Sequence, residues 1–365
     1  MSRTHYDMAV LGGGTVGIVA ALAGSQKSRT VLIVRPETEP GYVPRIETVP
    51  APMLNFLIDF GVHPHRVGVD RLYENQHMAW ESAEPQLHRG RAMAHIDKTK
   101  LHSELLSIAK HAQHLDIVID QYTPSRRQSD WLGSDWSARR LIDATGRSAA
   151  TATRRIMAHK PWVARPFWST ARAPVQMRDF SIAALPFGHA YRLSSGEIDS
   201  LWIAGRGATL SASPTAIEAA LISAGAGWLL EGLPNLGSLH SGRAFPVSVQ
   251  WAEASSAIAV GDAALARDVL SSQGIAAALS SACYAVVCES ERDTALLQQH
   301  QRAERASHLK SLSQLIATCR YVDSVEWQRY RNFIESNQYE EPSQKSVFLS
   351  HGRLTVHSSV HRNGG

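Results

Sequence analysis

Three glycines near the amino terminus have the spacing that binds a dinucleotide. Gly12, Gly14 and Gly17 follow an apolar run and precede a helix pattern of small residues. In such a turn the first glycine permits the chain reversal, the second lets the backbone approach a pyrophosphate, and the third lets the helix pack on the strand. Thr15 and Val16 begin the helix, whose free N–H groups attract an anion. This context favours dinucleotide binding over a glycine-rich loop without a ligand.

The second strand pattern, Thr30–Val34, ends at an unusual residue for such a site. A Rossmann unit that binds adenosine usually has an acidic side chain here to hold the ribose hydroxyls, and this chain has Arg35. An arginine at this position can lie against adenine, pair with a phosphate or remain solvated at the strand end. The residues alone leave these three interpretations open.

The elements that position these groups are read from periodicity and from turn residues. Strands are predicted over 116–120, 141–148, 180–186, 200–204 and 257–264, helices over 54–60, 215–230 and much of 282–337, and a loop-like segment over 62–90. A further helix opens after His95, with Asp97 or Thr99 as its N-cap. We predict an α/β protein with a discontinuous dinucleotide-binding domain (1–155 and 243–295), an inserted substrate domain (156–242), a C-terminal helical region (296–337) and a polar tail (338–365).

Composition narrows the class of protein. The 365 residues are 44% hydrophobic and 19% charged, which is typical of a globular fold. The net charge of +4 comes without a dense Lys/Arg block, so no nucleic-acid partner is expected. Three cysteines without a C-x-x-C pair favour a reducing cytoplasm, and no uninterrupted apolar run is long enough for a membrane span.

Four separated stretches resemble one family. The glycine motif, residues 47–50 (ETVP), residues 143–148 (DATGRS), and Gly261-Asp262 with 268–275 resemble FAD-dependent monooxygenases of the aromatic-hydroxylase type, in particular the tryptophan-halogenase-like branch. The resemblance implies a para-hydroxybenzoate-hydroxylase-like fold. This has a Rossmann-like FAD-binding domain, an inserted antiparallel-sheet substrate domain and C-terminal helices.

The resemblance also implies where the cofactor FAD binds. The Asp262 carboxylate would hydrogen-bond the ribityl chain. The backbone N–H groups of Gln273, Gly274 and Ile275 would face the flavin at a helix N-terminus and stabilise negative charge on the reduced ring.

Other site residues are less closely defined. Arg45 and Lys98 would lie near the FAD phosphates or the ribityl chain, with an ordinary surface charge as the alternative for each. His95 and Trp80 are pocket candidates for which a structural role is the favoured interpretation. No catalytic side chain and no metal site is assigned.

In enzymes of this family, reduced flavin reacts with O₂ and passes one oxygen atom to an electron-rich aromatic ring. The electrons come from NAD(P)H or from a separate flavin reductase, and the sequence does not decide between them. The amino-acid sequences of 262–275 and of 326–331 (EWQRYR) are similar to those of flavoproteins that mature tryptophylquinone-dependent amino-acid oxidases. These oxygenate a tryptophan in a partner protein, so the substrate is an aromatic group, with a peptidyl tryptophan as one candidate.

Two departures from the family refine this hypothesis. Halogenases of the branch carry a lysine after the 47–50 segment, and none occurs from Met53 to Gly90, so halogenation is disfavoured. Val269 replaces the usual proline and, together with Arg35, suggests weak FAD retention. The alternatives are a flavin-dependent reductase or dehydrogenase of the geranylgeranyl-reductase type and a non-catalytic flavoprotein partner.

Overall fold

Two large sheets and a set of C-terminal helices make up the fold. The computed structural model describes residues 3–35, 43–157, 162–170, 179–196, 198–206, 210–247, 249–253, 256–268, 270, 274–337, 345–350 and 353–358. The helices in these ranges are α1 (Thr15–Ser25), α2 (Pro52–Asp59), α3 (Lys98–Lys110), α4 (Pro214–Ser223), α5 (Asp262–Leu265), α6 (Gly274–Val287), α7 (Glu291–Ala317) and α8 (Val325–Ser336).

The strands follow the same chain order. They are β1 (Thr4–Leu11), β2 (Thr30–Val34), β3 (Ile46–Pro50), β4 (Tyr73–Ala79), β5 (Gln86–Asp97), β6 (Leu115–Ile119), β7 (Ser125–Arg127), β8 (Asp130–Leu132), β9 (Trp136–Asp143), β10 (Arg155–Met157), β11 (Val163–Ser169), β12 (Phe180–Leu185), β13 (Gly188–Ser195), β14 (Ile198–Gly205), β15 (His240–Ser241), β16 (Phe245–Pro246), β17 (Gln250–Ala252), β18 (Ile258–Ala259), β19 (Lys345–Ser350) and β20 (Arg353–Ser358).

The first sheet carries the glycine motif at its centre. Its strand order is β6-β2-β1-β9-β8-β7, with β18 beside β9, and β6, β2, β1, β9 and β18 are parallel. The second half of β1, Met8–Leu11, is buried on both faces and is apolar on both. Met8 and Val10 pack into the core that α1 and α6 share, while Ala9 and Leu11 pack with Trp136 on the other side. The predicted β-α-β unit is therefore present.

The second sheet is mostly antiparallel and has the order β15-β11-β14-β13-β12-β4-β5-β3, with β16 beside β11. The prediction of a loop-like segment over 62–90 was wrong, because β4 and the start of β5 lie there. The polar run Glu74–His77 weakens the strand pattern, and pairing with β12 and β5 overrides that weak local preference. Strands from both sides of residue 156 share this sheet, and the domain division stays a prediction.

Other local predictions agree with the structure in part. Asp97 caps α3, since its Oδ1 accepts the backbone N–H groups of Thr99 and Lys100 at 2.9 and 3.4 Å. The helix predicted over 215–230 is shorter, because α4 ends at Ser223 and Gly225 adopts a φ of +69°. The predicted C-terminal helices and the mixed α/β fold class are confirmed.

Tryptophans join the C-terminal helices to the second sheet. Trp327 of α8 is fully buried, and its indole N–H donates to the Leu185 carbonyl oxygen of β12 at 2.7 Å. The rings of Trp80 and Trp162 meet it edge-on, with centroids 5.5 and 4.9 Å away. Such edge-to-face pairs add to the burial of apolar area, so α8 is an integral support of this sheet.

Candidate functional site

A cavity of about 550 Å³ lies between the glycine motif and the second sheet. Its wall is formed by the start of α1, by β3, by the loop after β9, by one face of β12 to β14, and by the start of α6. This volume is in the range of small-molecule and cofactor sites. In the part of the chain that the structure describes, no group of His, Cys, Asp and Glu side chains could hold a metal ion.

The amino end of α1 places the backbone N–H groups of its first turn at this cavity. Gly14, Thr15 and Val16 line it, and Gly14 is the N-cap without any side chain to cap the helix. A Cβ added at Gly14 would meet nothing within 4 Å, so an anion has room to approach the backbone. A Cβ at Gly12 would collide with the Ala144 carbonyl oxygen. The turn is thus shaped as a pyrophosphate site requires.

Gly17 serves packing and does not line the cavity. A Cβ there would collide with the carbonyl oxygen of Gly12. The helix therefore lies as close to the strand as the third glycine of the motif allows.

Two cationic side chains, Arg45 and Lys98, line the cavity. Lys98 Nζ lies 3.0 Å from Glu47 Oε1, and both side chains line the cavity. The Arg45 guanidinium lies 4.7 Å from the centroid of the Phe245 ring, and its Nε is buried with no hydrogen-bond partner among the described residues. The structure therefore brings Arg45 and Lys98 to the same cavity as the start of α1.

Arg35 lies outside the residues that line this cavity. Its exposed guanidinium stacks 4.4 Å from the centroid of the Tyr122 ring. The Tyr122 hydroxyl accepts the backbone N–H groups of Gly13 and Arg35, both at 3.3 Å. The strand end thus carries an Arg–Tyr pair beside the glycine turn.

The segment that follows β18 forms the opposite edge of the cavity. Asp262 lies at the start of the short helix α5, and Gly261 before it has a φ of +56° and donates its N–H to Ser281 Oγ at 2.9 Å. Gly274 and Ile275, at the start of α6, also line the cavity. Gln273 and Val269 lie outside the described residues. Eight of the predicted cofactor residues therefore line one cavity, namely Gly14, Thr15, Val16, Arg45, Lys98, Asp262, Gly274 and Ile275, whereas Gly12, Gly17 and Arg35 do not.

Arg147 is a cavity residue to which the sequence assigned no role. Buried Asp143 holds the loop that carries it, because its two carboxylate oxygens accept from Thr145 and Thr151 at 2.6 to 3.0 Å. Burial lowers the pKa of the Arg147 guanidinium, and the nearby Asp262 and Asp268 carboxylates oppose that shift. Arg147 belongs to the 143–148 segment that resembles the family, but the resemblance assigned no role to this arginine.

Asp268 is the second such residue, and it is only 2% exposed. Its Oδ2 accepts the Tyr330 hydroxyl at 2.6 Å, and its Oδ1 accepts the Leu270 N–H at 2.8 Å. Burial raises the pKa of this carboxyl to about 6, although Tyr330, Leu270 and Arg147 all favour the charged form. A carboxyl that titrates near neutral pH inside a cavity is a functional-site candidate.

The remaining wall is aromatic and comes from the second sheet. Tyr191 and Trp202 lie parallel with centroids 6.0 Å apart, and Phe245 meets Trp202 edge-on at 5.5 Å. Burial, with the Glu47 and Asp268 charges, raises the pKa of the Tyr191 hydroxyl well above its usual value, so it is a neutral donor. These faces are suited to a flat ring.

The two pocket candidates from the sequence do not line the cavity. His95 is buried behind it, with Nδ1 2.6 Å from the Ser194 carbonyl oxygen, and burial lowers its pKa to about 4. Trp80 donates its indole N–H to the Leu315 carbonyl oxygen at 2.7 Å. Both make structural contacts, as the favoured interpretation held.

Comparisons with known proteins identify solved structures with a similar fold. No protein-family model and no curated protein matches the sequence. One similar solved structure is the peptidyl tryptophan dihydroxylase QhpG, essential for tryptophylquinone cofactor biogenesis, with a TM-score of 0.71, 18% identity, and coverage of 97% of this chain and 86% of that chain.

Two further structures show how widely the fold is used. The myxobacterial chondrochloren halogenase CndH, a variant of FAD-dependent halogenases, has a TM-score of 0.68 at 17% identity, with 92% of this chain and 91% of that chain covered. A geranylgeranyl bacteriochlorophyll reductase-like protein from Thermoplasma acidophilum has a TM-score of 0.61 at 16% identity, with 92% of each chain covered. The fold predicted by the resemblance is confirmed, and identities this low leave the activity to the site.

No helix in the described ranges combines the length and the apolar character that crossing a membrane requires.

Proposed function

We propose that this chain is an FAD-dependent monooxygenase that oxygenates an aromatic ring. The observation that carries the proposal is a single cavity with two unlike ends. At one end are the amide donors of α1, and at the other are the aromatic faces of Tyr191 and Trp202, with Arg45 stacked on Phe245 beside them. Such a cavity combines a surface suited to a pyrophosphate with a surface suited to a flat ring.

The residues present fit FAD. The start of α1 would hold the pyrophosphate, and the orphaned Nε of Arg45 and the Lys98 ammonium would add charge complementarity. Asp262 and the start of α6 would contact the ribityl chain and the flavin. Bound FAD, once reduced, supplies the two electrons with which O₂ is converted to an inserted oxygen atom and water.

The chain's own contribution is to orient the substrate and keep water out. Tyr191, Trp202 and Phe245 offer apolar faces, and burying a phenyl-sized group on such a surface is worth roughly 2–3 kcal/mol. Polar residues on this side include Tyr191 and Arg45, the latter stacked on Phe245. They can fix the orientation of a ring that carries an N–H or O–H group.

We extend the proposal to a tryptophan side chain within a partner protein. Its support is the resemblance of 262–275 and of 326–331 to that branch, together with the coverage of the QhpG structure. The electron donor, either NAD(P)H or a separate flavin reductase, remains part of the proposal to be tested.

The test uses the full chain, added FAD and isotopically labelled O₂. We expect uptake of FAD with a flavin spectrum, then label in the product from indole or a tryptophan-containing peptide when NAD(P)H or pre-reduced FAD supplies electrons. Failure to take up any flavin contradicts the proposal. Reduction of a substrate without label indicates a reductase, and a product that requires halide indicates a halogenase.

A further inference from the structure

Tyr191 brings an unengaged hydroxyl to the aromatic wall of the cavity. Its side chain is half-buried and lines the cavity, and no group in the described part of the chain forms a hydrogen bond with its Oη. The adjacent Trp202 already donates its indole N–H to Ser200 Oγ at 3.1 Å, so it offers a ligand only the faces of its ring. A phenol hydroxyl can donate one hydrogen bond and accept others. Tyr191 is therefore a polar group of this wall that a ligand can use.

Other polar side chains on the cavity wall are already paired within the protein. Glu47 forms an ion pair with Lys98 at 3.0 Å. Thr48 Oγ1 accepts the Tyr73 hydroxyl at 3.3 Å. Each of these groups would give up or share a protein partner to bind a ligand, whereas the Tyr191 hydroxyl would gain its first one.

The surroundings of this hydroxyl on the second sheet are apolar. Phe180, Ile182 and Leu193 line the cavity from β12 and β13, and Trp202 lies opposite Tyr191 in the β13–β14 pair. The rings of Tyr191 and Trp202 are parallel, with centroids 6.0 Å apart. A flat ring that covers this wall excludes water from the hydroxyl, and a buried N–H or O–H group without a partner costs free energy. The position of the Tyr191 hydroxyl should thus decide which polar rings bind.

The charges that act on this hydroxyl favour a hydrogen-bond donor over an anion. Burial raises the pKa of the Tyr191 hydroxyl well above its usual value, so the group stays neutral. The Glu47 and Asp268 charges raise this pKa further, and the smaller contribution of Arg45 opposes them. Because the two larger contributions come from carboxylates, the potential at the hydroxyl attracts the positive hydrogen of an N–H group and disfavours a carboxylate or a phenolate.

We propose that the Tyr191 hydroxyl accepts the N–H of the substrate ring and so selects a neutral N–H ring, such as the indole of a tryptophan side chain, over a ring of the same shape without this group. The inference rests on the proposed function. A site that pairs with a substrate N–H rejects the analogue that lacks it, because the buried hydroxyl is then left without a partner. The faces of Trp202 and Phe245 do not make this distinction, since they contact either ring alike.

The first test compares two flat rings of similar shape. Indole carries the N–H, and 1-benzothiophene has a sulfur atom in its place. Their dissociation constants are measured by equilibrium dialysis with the FAD-loaded full chain and with its Tyr191→Phe variant. We expect the ratio of the two constants to favour indole about tenfold more in the unaltered chain than in Y191F, which keeps the ring and removes the acceptor. Equal ratios in the two chains overturn the proposal.

The matched control is Tyr321→Phe. The Tyr321 hydroxyl donates to the Ala224 carbonyl oxygen at 3.2 Å, and this tyrosine does not line the cavity. Y321F should therefore keep the ratio of the unaltered chain. A ratio that falls as far in Y321F as in Y191F contradicts the assignment to Tyr191.

A second measurement uses the unaltered chain alone, so it does not depend on how a variant folds. The N–H proton of isotope-labelled indole gives a nuclear magnetic resonance signal that moves downfield when the group donates a hydrogen bond. We expect the signal of bound indole to lie downfield of its position in an apolar solvent. A signal at the apolar-solvent position shows an N–H without an acceptor and overturns the proposal.

Turnover with labelled O₂ separates the failure of this inference from the failure of the proposed function. We expect Y191F to need about tenfold more indole for its half-maximal rate of label incorporation, because the lost hydrogen bond weakens binding of the ring. An unchanged indole requirement, together with equal binding ratios, overturns the role of Tyr191 and leaves the proposed function intact. A chain that binds FAD and prefers indole through Tyr191 but never incorporates label contradicts the proposed function instead.

Discussion

The glycine end of the cavity presents backbone amides to a ligand, and the aromatic end presents side chains. Gly14 and the first turn of α1 present N–H groups whose placement follows from the turn itself. Tyr191, Trp202 and Phe245 come from β13, β14 and β16, and only the folded second sheet brings them together. The first end depends on local geometry, whereas the second depends on packing between distant segments.

The difference teaches which part of such a site can change. A backbone-built end tolerates few substitutions, because a Cβ at Gly12 or Gly17 collides with backbone atoms. A side-chain wall can exchange one apolar residue for another at modest cost. We therefore expect cofactor binding to be set by the first end and substrate choice by the second.

The largest expected effect tests the support of the aromatic end. Trp327→Ala removes a fully buried ring that contacts Trp80 and Trp162 and donates to Leu185. We expect the free energy of unfolding in urea to fall by about 3–5 kcal/mol. Trp327→Phe keeps a ring and should cost less, and equal losses for both variants would mean that the hydrogen bond dominates.

The second prediction concerns pH. The pKa of Asp268 is about 6 in the folded chain, against a usual value of 3.8. The folded state thus binds the Asp268 proton more tightly than the unfolded state does. The stabilisation that comes from this proton is full below pH 3.8 and is lost as pH rises through 6. The difference corresponds to about 3 kcal/mol.

The measurement is the pH dependence of unfolding in D268N compared with the unaltered chain. Between about pH 4 and pH 7 the stability of D268N relative to the unaltered chain should rise, because the variant has no carboxyl to ionise. His308, with its lowered pKa, changes stability in the opposite direction in both proteins. Parallel curves for the two proteins would contradict the raised pKa.

Sequence reasoning reached the two ends of the cavity unequally, for physical reasons. The spacing of Gly12, Gly14 and Gly17 predicts the geometry of the turn. Asp262 belongs to a second matched stretch, Gly261-Asp262 with 268–275. The aromatic wall has no such signature, since Tyr191 and Phe245 are far apart in sequence and meet only through strand pairing. Strand β4 escaped prediction for the same reason, because its polar residues are held by pairing with distant strands.

A pair of glycine variants separates the two duties of the glycine end. In Gly17→Ala the methyl group collides with the Gly12 carbonyl oxygen, and we expect a loss of about 1–3 kcal/mol in unfolding free energy without FAD. Gly14→Ala meets nothing within 4 Å, so the apo protein should lose less than about 1 kcal/mol.

FAD titration distinguishes the same pair. The Gly14 methyl would occupy the space through which a pyrophosphate approaches, so the FAD dissociation constant should rise at least about tenfold. A Gly14→Ala chain that binds FAD normally would show that the pyrophosphate does not lie on this turn.

The smallest effect is expected at Arg35, at the strand end beside the glycine turn. Arg35 is exposed, stacks on Tyr122 and does not line the cavity, so Arg35→Ala should cost only about 0.5 kcal/mol in stability and change FAD affinity less than about twofold. Arg35→Glu should tighten FAD about threefold, because a carboxylate at this strand end can accept a ribose hydroxyl. Both affinities can be measured by flavin fluorescence. A tenfold weakening in Arg35→Ala would instead mean that the guanidinium contacts the cofactor, and that the backbone-built end relies on a side chain after all.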